Sequence, residues 1–377
     1  MEKIAIIGCG ITKFEGRKKE PYFNTAFEAS KMAVEDACIS KGDIENVVLS
    51  GYDLSAGRTI SSMYVIGSAG AYLKDEIKVA DDGIFALALA YLRILSGFEI
   101  TLVLSYGISS ETVPELIANL TLDPLFYRDS GLSEITLCAL QSQIYMSKNG
   151  IKEEDAAEFV VKNRNSALLN PYAHIRKKVT KKEVLNSEMI CFPLRKLEVA
   201  PYSDGAVALV LAPERLAKTV KKNYVTIEGI SWIQDTYHPG ERVKEPATSL
   251  KRIVQSAFEK ASISVEDLNV IEVSEFTPYH EIMCLEAIFN LEPAQIIKKM
   301  KEGDFHLNGK SPVNPSGGML SSNPDVSTGL ARVAEVYLQL TENAGKRQIK
   351  NAEFGLVHGK GGLGYQNNCV AILKRND

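Results

Sequence analysis

Hydrophobic and polar positions along the chain alternate between short apolar runs and longer amphipathic stretches. The first apolar run, residues 3–8, is short and rich in isoleucine, and it therefore predicts a strand. The longest run, residues 83–97, contains Arg93 and is too short to cross a bilayer, so we interpret it as a buried helix. Short apolar strands that alternate with helices predict an α/β protein with parallel or mixed sheets.

The same order of elements occurs twice along the chain. Residues 37–50 and 261–274 each contain a helix end with the pattern Ala-x-Ile-Ser, a turn with an aspartate and a buried strand. Apolar helices that begin with Gly83 and Gly329 then follow in the two copies, and each precedes another strand, at 100–104 and 354–357. Because both helices are apolar on nearly every side, we expect them to be buried between two sheets.

This duplication predicts how the chain is divided. A chain of 377 residues is long for one hydrophobic core, and the repeat indicates an N-terminal half at 1–220 and a C-terminal half at 221–377. Residues 107–199 have no counterpart in the second half. We expect them to form an insertion, with helices near 134–148 and 152–169, that covers the active face.

Composition excludes several classes of function. Hydrophobic residues make up 45% of the chain, and the net charge is −4 without a long basic run, which argues against a nucleic-acid partner. The six cysteines form no CxxC pair, so we expect neither a zinc site nor a disulfide framework, and the absence of a leader predicts a cytoplasmic protein. Gly8-Cys9-Gly10 lacks the third glycine of a dinucleotide loop, where Lys13 stands, so nicotinamide binding is not expected.

Two longer motifs are more specific. Residues 193–211 contain Pro-Tyr-Ser-Asp-Gly before an apolar strand, and residues 161–173 end in Asn-Pro-Tyr-Ala. Both resemble the thiolase superfamily, in particular its sterol-carrier-type and archaeal-style members, and the resemblance extends over essentially the whole chain. It implies two βαβαβαββ halves in a five-layered α-β-α-β-α sandwich, paired as a homodimer. It also implies chemistry on acyl-CoA thioesters, with a cysteine that takes the acyl group, a second acid/base residue, and oxyanion holes formed by Asn and His.

The nucleophile of that chemistry is missing. The family's Cys-x-x-Gly motif, at the start of the first buried helix, aligns with Ala80-Asp81-Asp82-Gly83. Alanine has no nucleophilic atom, so the resemblance makes Ala80 a degenerate nucleophile position. Asp81 and Asp82 are most simply interpreted as helix-capping residues, and the alternative is that one of them serves as a replacement base.

Four further catalytic candidates come from the resemblance. Ser274 takes the place of an oxyanion Asn or His, and Asn323 replaces the histidine of a Gly-His-Pro motif while keeping a hydrogen-bond donor. His358 is retained, and because it follows a buried strand and opens a glycine-rich turn, we predict a general base, with a hydrogen-bonded structural histidine as the alternative. Tyr365 is a candidate proton donor, with a packed aromatic as the alternative.

The expected ligands are coenzyme A and acyl-CoA, without a tightly bound cofactor or a metal. The resemblance assigns substrate binding to the glycine turn formed by Ser316, Gly317 and Gly318. Three functions remain open. The chain is an acyl-CoA-binding protein without Claisen activity, a lyase that cleaves β-hydroxyacyl-CoA by a retro-aldol reaction with an OB-fold/zinc-ribbon partner, or an acyltransferase with residual activity.

Overall fold

The computed structural model describes residues 2–243 and 248–376. The elements up to the end of the insertion are β1 Ile4–Ile11, α1 Tyr22–Asp36, β2 Asn46–Ser50, α2 Ser62–Val65, β3 Asp75–Val79, α3 Gly83–Leu95, β4 Thr101–Ile108, α4 Pro114–Leu120, α5 Glu134–Asn149, α6 Glu153–Ala167, α7 Lys181–Leu185, β5 Met189–Cys191 and β6 Leu194–Arg195. The remaining elements are β7 Asp204–Pro213, α8 Glu214–Val220, β8 Tyr224–Gln234, α9 Pro239–Arg242, α10 Thr248–Ala261, β9 Val270–Glu272, α11 Pro278–Phe289, α12 Pro293–Glu302, α13 Thr328–Leu340, β10 Phe354–Gly361 and β11 Asn367–Asn376.

Nine of these strands form one hydrogen-bonded sheet in the order β3-β2-β4-β7-β1-β8-β11-β10-β9. The two halves meet where β1 and β8 pair antiparallel. Each half then has the same pattern, since β2 is parallel to β4 as β9 is to β10, and β1 is antiparallel to β7 as β8 is to β11. An isolated parallel bridge between Ile271 and Val313 lies beside β9, in the position that β3 has beside β2.

Helices fill three layers around the strands. Helix α1 packs on the outer side of the first half and α10 on the outer side of the second, while α3 and α13 contact each other between the strands of the two halves. The five-layered thiolase arrangement predicted from the sequence is confirmed. Gly8 and Gly10 lie inside β1, where a Cβ on Gly10 would come within 2.0 Å of the Ala29 carbonyl oxygen, so these glycines allow α1 to approach the strand.

The repeated Ala-x-Ile-Ser segments have matching backbones. Cys38 and Ser262 both adopt left-handed conformations, with φ of 56° and 55°. The backbone N–H groups of Ser40 and Ser264 each donate to the side chain of an aspartate three residues later, at 2.7 and 2.8 Å. Two segments this distant in sequence share a local geometry because each ends a helix and turns the chain into a parallel strand.

Most elements agree with the sequence prediction, and one differs in a way that affects the site. The predicted insertion helices are α5 and α6. Strand β10 was expected to end at residue 357, but its pairing with β11 continues to Gly361, so His358 lies within the strand and does not follow it. Within the described ranges, no helix combines the length and apolarity needed to cross a bilayer.

Candidate active site

A cavity of about 280 Å³ lies where the two halves and the insertion meet. Its wall includes Ala80, just before α3, and Asn323, just before α13, and helix α4 of the insertion forms another side. The internal repeat predicts that Ala80 and Asn323 approach each other, and both residues line this cavity. Asn323 is buried, and its side-chain oxygen accepts a hydrogen bond from the Thr328 hydroxyl at 3.0 Å.

Asp82 connects the two central helices. One carboxylate oxygen accepts the backbone N–H of Ile84 at 2.9 Å, which caps α3, and the other accepts the backbone N–H of Gly329 at 2.8 Å, in the first turn of α13. A Cβ on Gly329 would lie 2.0 Å from the Asp82 carboxylate, so glycine is required there. The capping interpretation is therefore confirmed for Asp82.

Asp81 has a different environment. Its Oδ1 atom accepts the backbone N–H of Asp82 at 2.8 Å, and its Oδ2 atom accepts the side-chain amide of Asn367 at 2.6 Å. The carboxylate lies so close to β10 that a Cβ on Gly361 would be 1.8 Å from Oδ1. Burial raises the pKa of Asp81, against the opposing effect of these hydrogen bonds and of the Lys360 charge. Asp81 lines the cavity and caps no helix, which leaves the replacement-base alternative open for this residue.

His358 points away from α3. Side chains alternate along a strand, so His358 shares the face of Leu356, which belongs to the apolar cluster around α11, whereas Gly359 faces Ile84 of α3. The lining of the cavity does not include His358. The expected position after a strand was wrong because the glycines of this segment continue the ladder with β11.

The hydrogen bonds of His358 define its tautomer. The Asn368 amide nitrogen donates to the Tyr365 carbonyl oxygen at 3.0 Å, which leaves the Asn368 side-chain oxygen to accept from His358 Nε2 at 3.0 Å. Nε2 therefore carries the proton, and Nδ1 accepts from the thiol of Cys284 at 3.6 Å. Burial lowers the pKa of His358 to about 4, so the imidazole is neutral at pH 7. This environment favours the structural alternative.

Tyr365 and Ser274 are also buried outside the lining. The Tyr365 hydroxyl donates to the Ser274 carbonyl oxygen at 2.8 Å and accepts the Phe276 backbone N–H at 2.9 Å, while its ring stacks on His280 at 4.3 Å. These contacts favour the packed-aromatic alternative. The Ser274 hydroxyl is fully buried and has no hydrogen-bond partner among the described residues.

The glycine turn at residues 316–318 is buried. The Ser316 hydroxyl donates to Glu272 at 2.8 Å and accepts from Arg332 at 2.6 Å. Gly318 has a φ of 63°, and a Cβ there would lie 1.9 Å from the Glu275 carboxylate. The turn contributes no residue to the described lining, so its assignment to substrate binding stays a prediction.

Sequence reasoning missed most of the polar lining, which includes Tyr52, Glu134, Tyr202, Asp325 and Lys360. Two of these residues lie within or beside the motifs described above. Tyr202 belongs to Pro-Tyr-Ser-Asp-Gly, and Lys360 interrupts a run of glycines after His358. The sequence signal for Lys360 is a charged residue among glycines. Its glycine neighbours have no side chains, so the lysine side chain can extend past the backbone beside it.

Lys360 is held by groups from three parts of the chain. Its ammonium forms an ion pair with Glu134, the first residue of α5, and lies 5.2 Å from the ring centre of Phe276 and 5.4 Å from that of Tyr365. Across the described residues no cluster of three or more His, Cys, Asp or Glu side chains is arranged to hold a metal ion. The six cysteines are free thiols, and the cavity lining contains neither cysteine nor histidine in the part of the chain that the structure describes.

Comparisons with known proteins point to one family. Residues 235–375 match the family model described as thiolase C-terminal domain-like. An acetyl-CoA acetyltransferase of Methanothermobacter thermautotrophicus is 28% identical, and the alignment covers 97% of both chains. Sterol carrier protein 2 of Gallus gallus is 26% identical over 95% of this chain and 70% of its own length.

Solved structures share the fold over nearly the whole chain. The Ltp2-ChsH2(DUF35) aldolase superposes with a TM-score of 0.84 at 20% identity, covering 99% of this chain and 98% of that chain. Human mitochondrial 3-ketoacyl-CoA thiolase in complex with CoA gives a TM-score of 0.72 at 13% identity, covering 100% and 98%.

Proposed function

Because the chain belongs to the thiolase superfamily and has its fold, we propose that it binds acyl-CoA thioesters in the cavity beside Ala80 without forming an acyl-enzyme. The observation that carries this proposal is the methyl group of Ala80, which is exposed at the cavity wall where the family motif has a cysteine. Covalent acyl transfer needs a nucleophilic atom at that point, and alanine offers none.

No other cysteine substitutes for the missing one. Cys9, Cys138, Cys284 and Cys369 are buried, and burial raises the pKa of each thiol, which disfavours the reactive thiolate. Cys38 and Cys191 lie outside the described lining of the cavity. Thiolase turnover through an acyl-cysteine intermediate therefore has no thiol at this site among the described residues.

Titration calorimetry with CoA and acetyl-CoA tests the binding proposal. We expect a complex with the wild-type protein and loss of binding in Ala80→Trp, because the indole would fill the cavity. Ala294→Trp, at an exposed position on α12, is the matched control and is expected to bind normally. No heat and no thermal shift at millimolar ligand would contradict the proposal. Thiolysis of acetoacetyl-CoA, measured in parallel, tests the residual acyltransferase alternative, for which we expect no robust turnover.

The second candidate is a lyase that cleaves β-hydroxyacyl-CoA. Two observations favour it, namely the similarity of fold to the Ltp2-ChsH2(DUF35) aldolase and the acid/base groups around Ala80. In this reaction a base removes the hydroxyl proton, the Cα–Cβ bond breaks, and a carbonyl compound leaves. The electron pair becomes a thioester enolate, which takes up a proton at Cα to give a shortened acyl-CoA. No covalent intermediate is needed, so alanine at position 80 is compatible with it.

A retro-aldol assay separates the two candidates. β-Hydroxyacyl-CoA substrates are incubated with the protein alone and with a purified OB-fold/zinc-ribbon partner protein, and carbonyl release is measured. Cleavage that Lys360→Met removes would support the lyase. Binding without cleavage in both mixtures would favour the simple acyl-CoA-binding function. Size-exclusion chromatography with light scattering tests the expected homodimer in the same samples.

A further inference from the structure

We propose that Lys360 and Asp81 together enolise a bound acyl-CoA, so that the cavity keeps an α-proton transfer activity although the nucleophile is absent. This inference rests on the proposed acyl-CoA binding. It assigns the chemistry to two residues at the lining, in place of the buried His358, Tyr365 and Ser274.

Lys360 offers hydrogen-bond donors in a fixed position. An ammonium group has three N–H donors, and Glu134 is the acceptor of one of them. No other described residue accepts a hydrogen bond from Lys360, so two donors are available at the cavity. The rings of Phe276 and Tyr365 and the carboxylate of Glu134 restrict the ammonium from three directions. Donors held in this way stabilise an oxyanion with little reorganisation.

Asp81 offers a carboxylate at the same cavity. Two of its lone-pair positions accept hydrogen bonds from Asp82 and Asn367, and a carboxylate has about four, so it retains capacity to accept a proton. Asp81 and Lys360 both line the cavity, and the Lys360 charge acts on the Asp81 carboxylate, where it opposes the effect of burial on the Asp81 pKa. Burial also raises the pKa of Asp81, which strengthens it as a base.

The step between these two groups is balanced without a further reactant. The Asp81 carboxylate takes a proton from Cα of the acyl group, and the C–H electron pair forms the Cα–C double bond. The carbonyl π pair moves to the thioester oxygen, whose negative charge the two free N–H donors of Lys360 stabilise. Reversal returns a proton to Cα. In D₂O, exchange of the Asp81 proton with solvent makes the returned atom a deuteron.

Deuterium incorporation into the acetyl methyl group of acetyl-CoA measures this activity by mass spectrometry. We expect the wild-type protein to incorporate deuterium well above the buffer rate, and Asp81→Asn and Lys360→Met to reduce the rate about 10²–10³-fold. Lys360→Met leaves the Glu134 carboxylate buried and unpaired, so the double variant Lys360→Met/Glu134→Gln provides a folded form without that charge. Lys298→Met, at a side chain that is 75% exposed, is the matched control and is expected to exchange like the wild type.

Calorimetry with acetyl-CoA on the same proteins distinguishes the outcomes. If wild-type protein does not bind acetyl-CoA, the proposed function fails. If wild-type protein binds acetyl-CoA without catalysing deuterium exchange, the enolisation proposal is overturned and the binding function stands. The same conclusion follows if exchange persists in Lys360→Met/Glu134→Gln or in Asp81→Asn. Exchange that both substitutions remove while acetyl-CoA affinity is kept supports it.

Discussion

Replacing Asp82 tests how much the hydrogen bonds of one side chain, which connects α3 and α13, contribute to the free energy of unfolding. Asp82→Ala removes the cap of α3, which is typically worth about 1 kcal/mol, and leaves the buried N–H of Gly329 without an acceptor, which costs about 1–3 kcal/mol. The expected loss in the free energy of unfolding is therefore about 2–4 kcal/mol. Ser133→Ala removes the cap of α5 alone and is expected to cost about 1 kcal/mol.

Asp82→Asn isolates the bond to Gly329. Asparagine caps a helix about as well as aspartate, but it has one oxygen, so its amide nitrogen would face the second N–H donor. We expect a loss of about 1–3 kcal/mol, measured as a lower urea midpoint with an unchanged slope. If Asp82→Asn unfolds at the wild-type midpoint, or if Asp82→Ala costs no more than Ser133→Ala, Asp82 does not connect the halves energetically and the bridging argument is refuted.

Three further predictions concern the site and its support. Ala80→Cys, at a cavity wall before a helix, should react with iodoacetamide faster than the wild type yet condense acetyl-CoA poorly, because oxyanion groups are missing. His358 has a pKa of about 4 in the folded protein, so between pH 6.5 and 4 mainly the unfolded state binds a proton at this imidazole, and the protein should become less stable as pH falls through that range. His358→Gln should flatten that part of the profile of urea midpoint against pH. Lys162→Met should cost about 3–5 kcal/mol in urea unfolding by leaving Glu281 unpaired, and Lys162→Met/Glu281→Leu should recover most of it; no recovery would contradict the pairing argument.

The sequence predicts the fold well because the signal is duplicated. The Ala-x-Ile-Ser segments and the two Gly-led helices each occur in both halves, so one copy supports the interpretation of the other. The positions of Ala80 and Asn323 follow from the same repeat, since equivalent segments come together where the halves meet.

The candidate site could be predicted only in part, for physical reasons. The glycines after His358 suggested a turn, but pairing with β11 extends the strand, and strand pairing depends on residues distant in sequence. That extension determines which side chains reach the cavity, because it turns His358 towards α11. The family motifs have cysteine, histidine and asparagine at their catalytic positions and so predict no role for Lys360. Nothing in the local sequence shows that Glu134 lies beside it.

The position of Asp82 has a consequence for how a duplicated chain diverges. In the repeat, Thr328 is the counterpart of Asp82, because each directly precedes the Gly that begins the apolar stretch of its helix. Two identical copies would have an aspartate at both positions. A second carboxylate would then lie at the contact between the starts of α3 and α13, which the Asp82 carboxylate already occupies. Thr328 at the second position avoids that second carboxylate, and its hydroxyl donates a hydrogen bond to Asn323 instead.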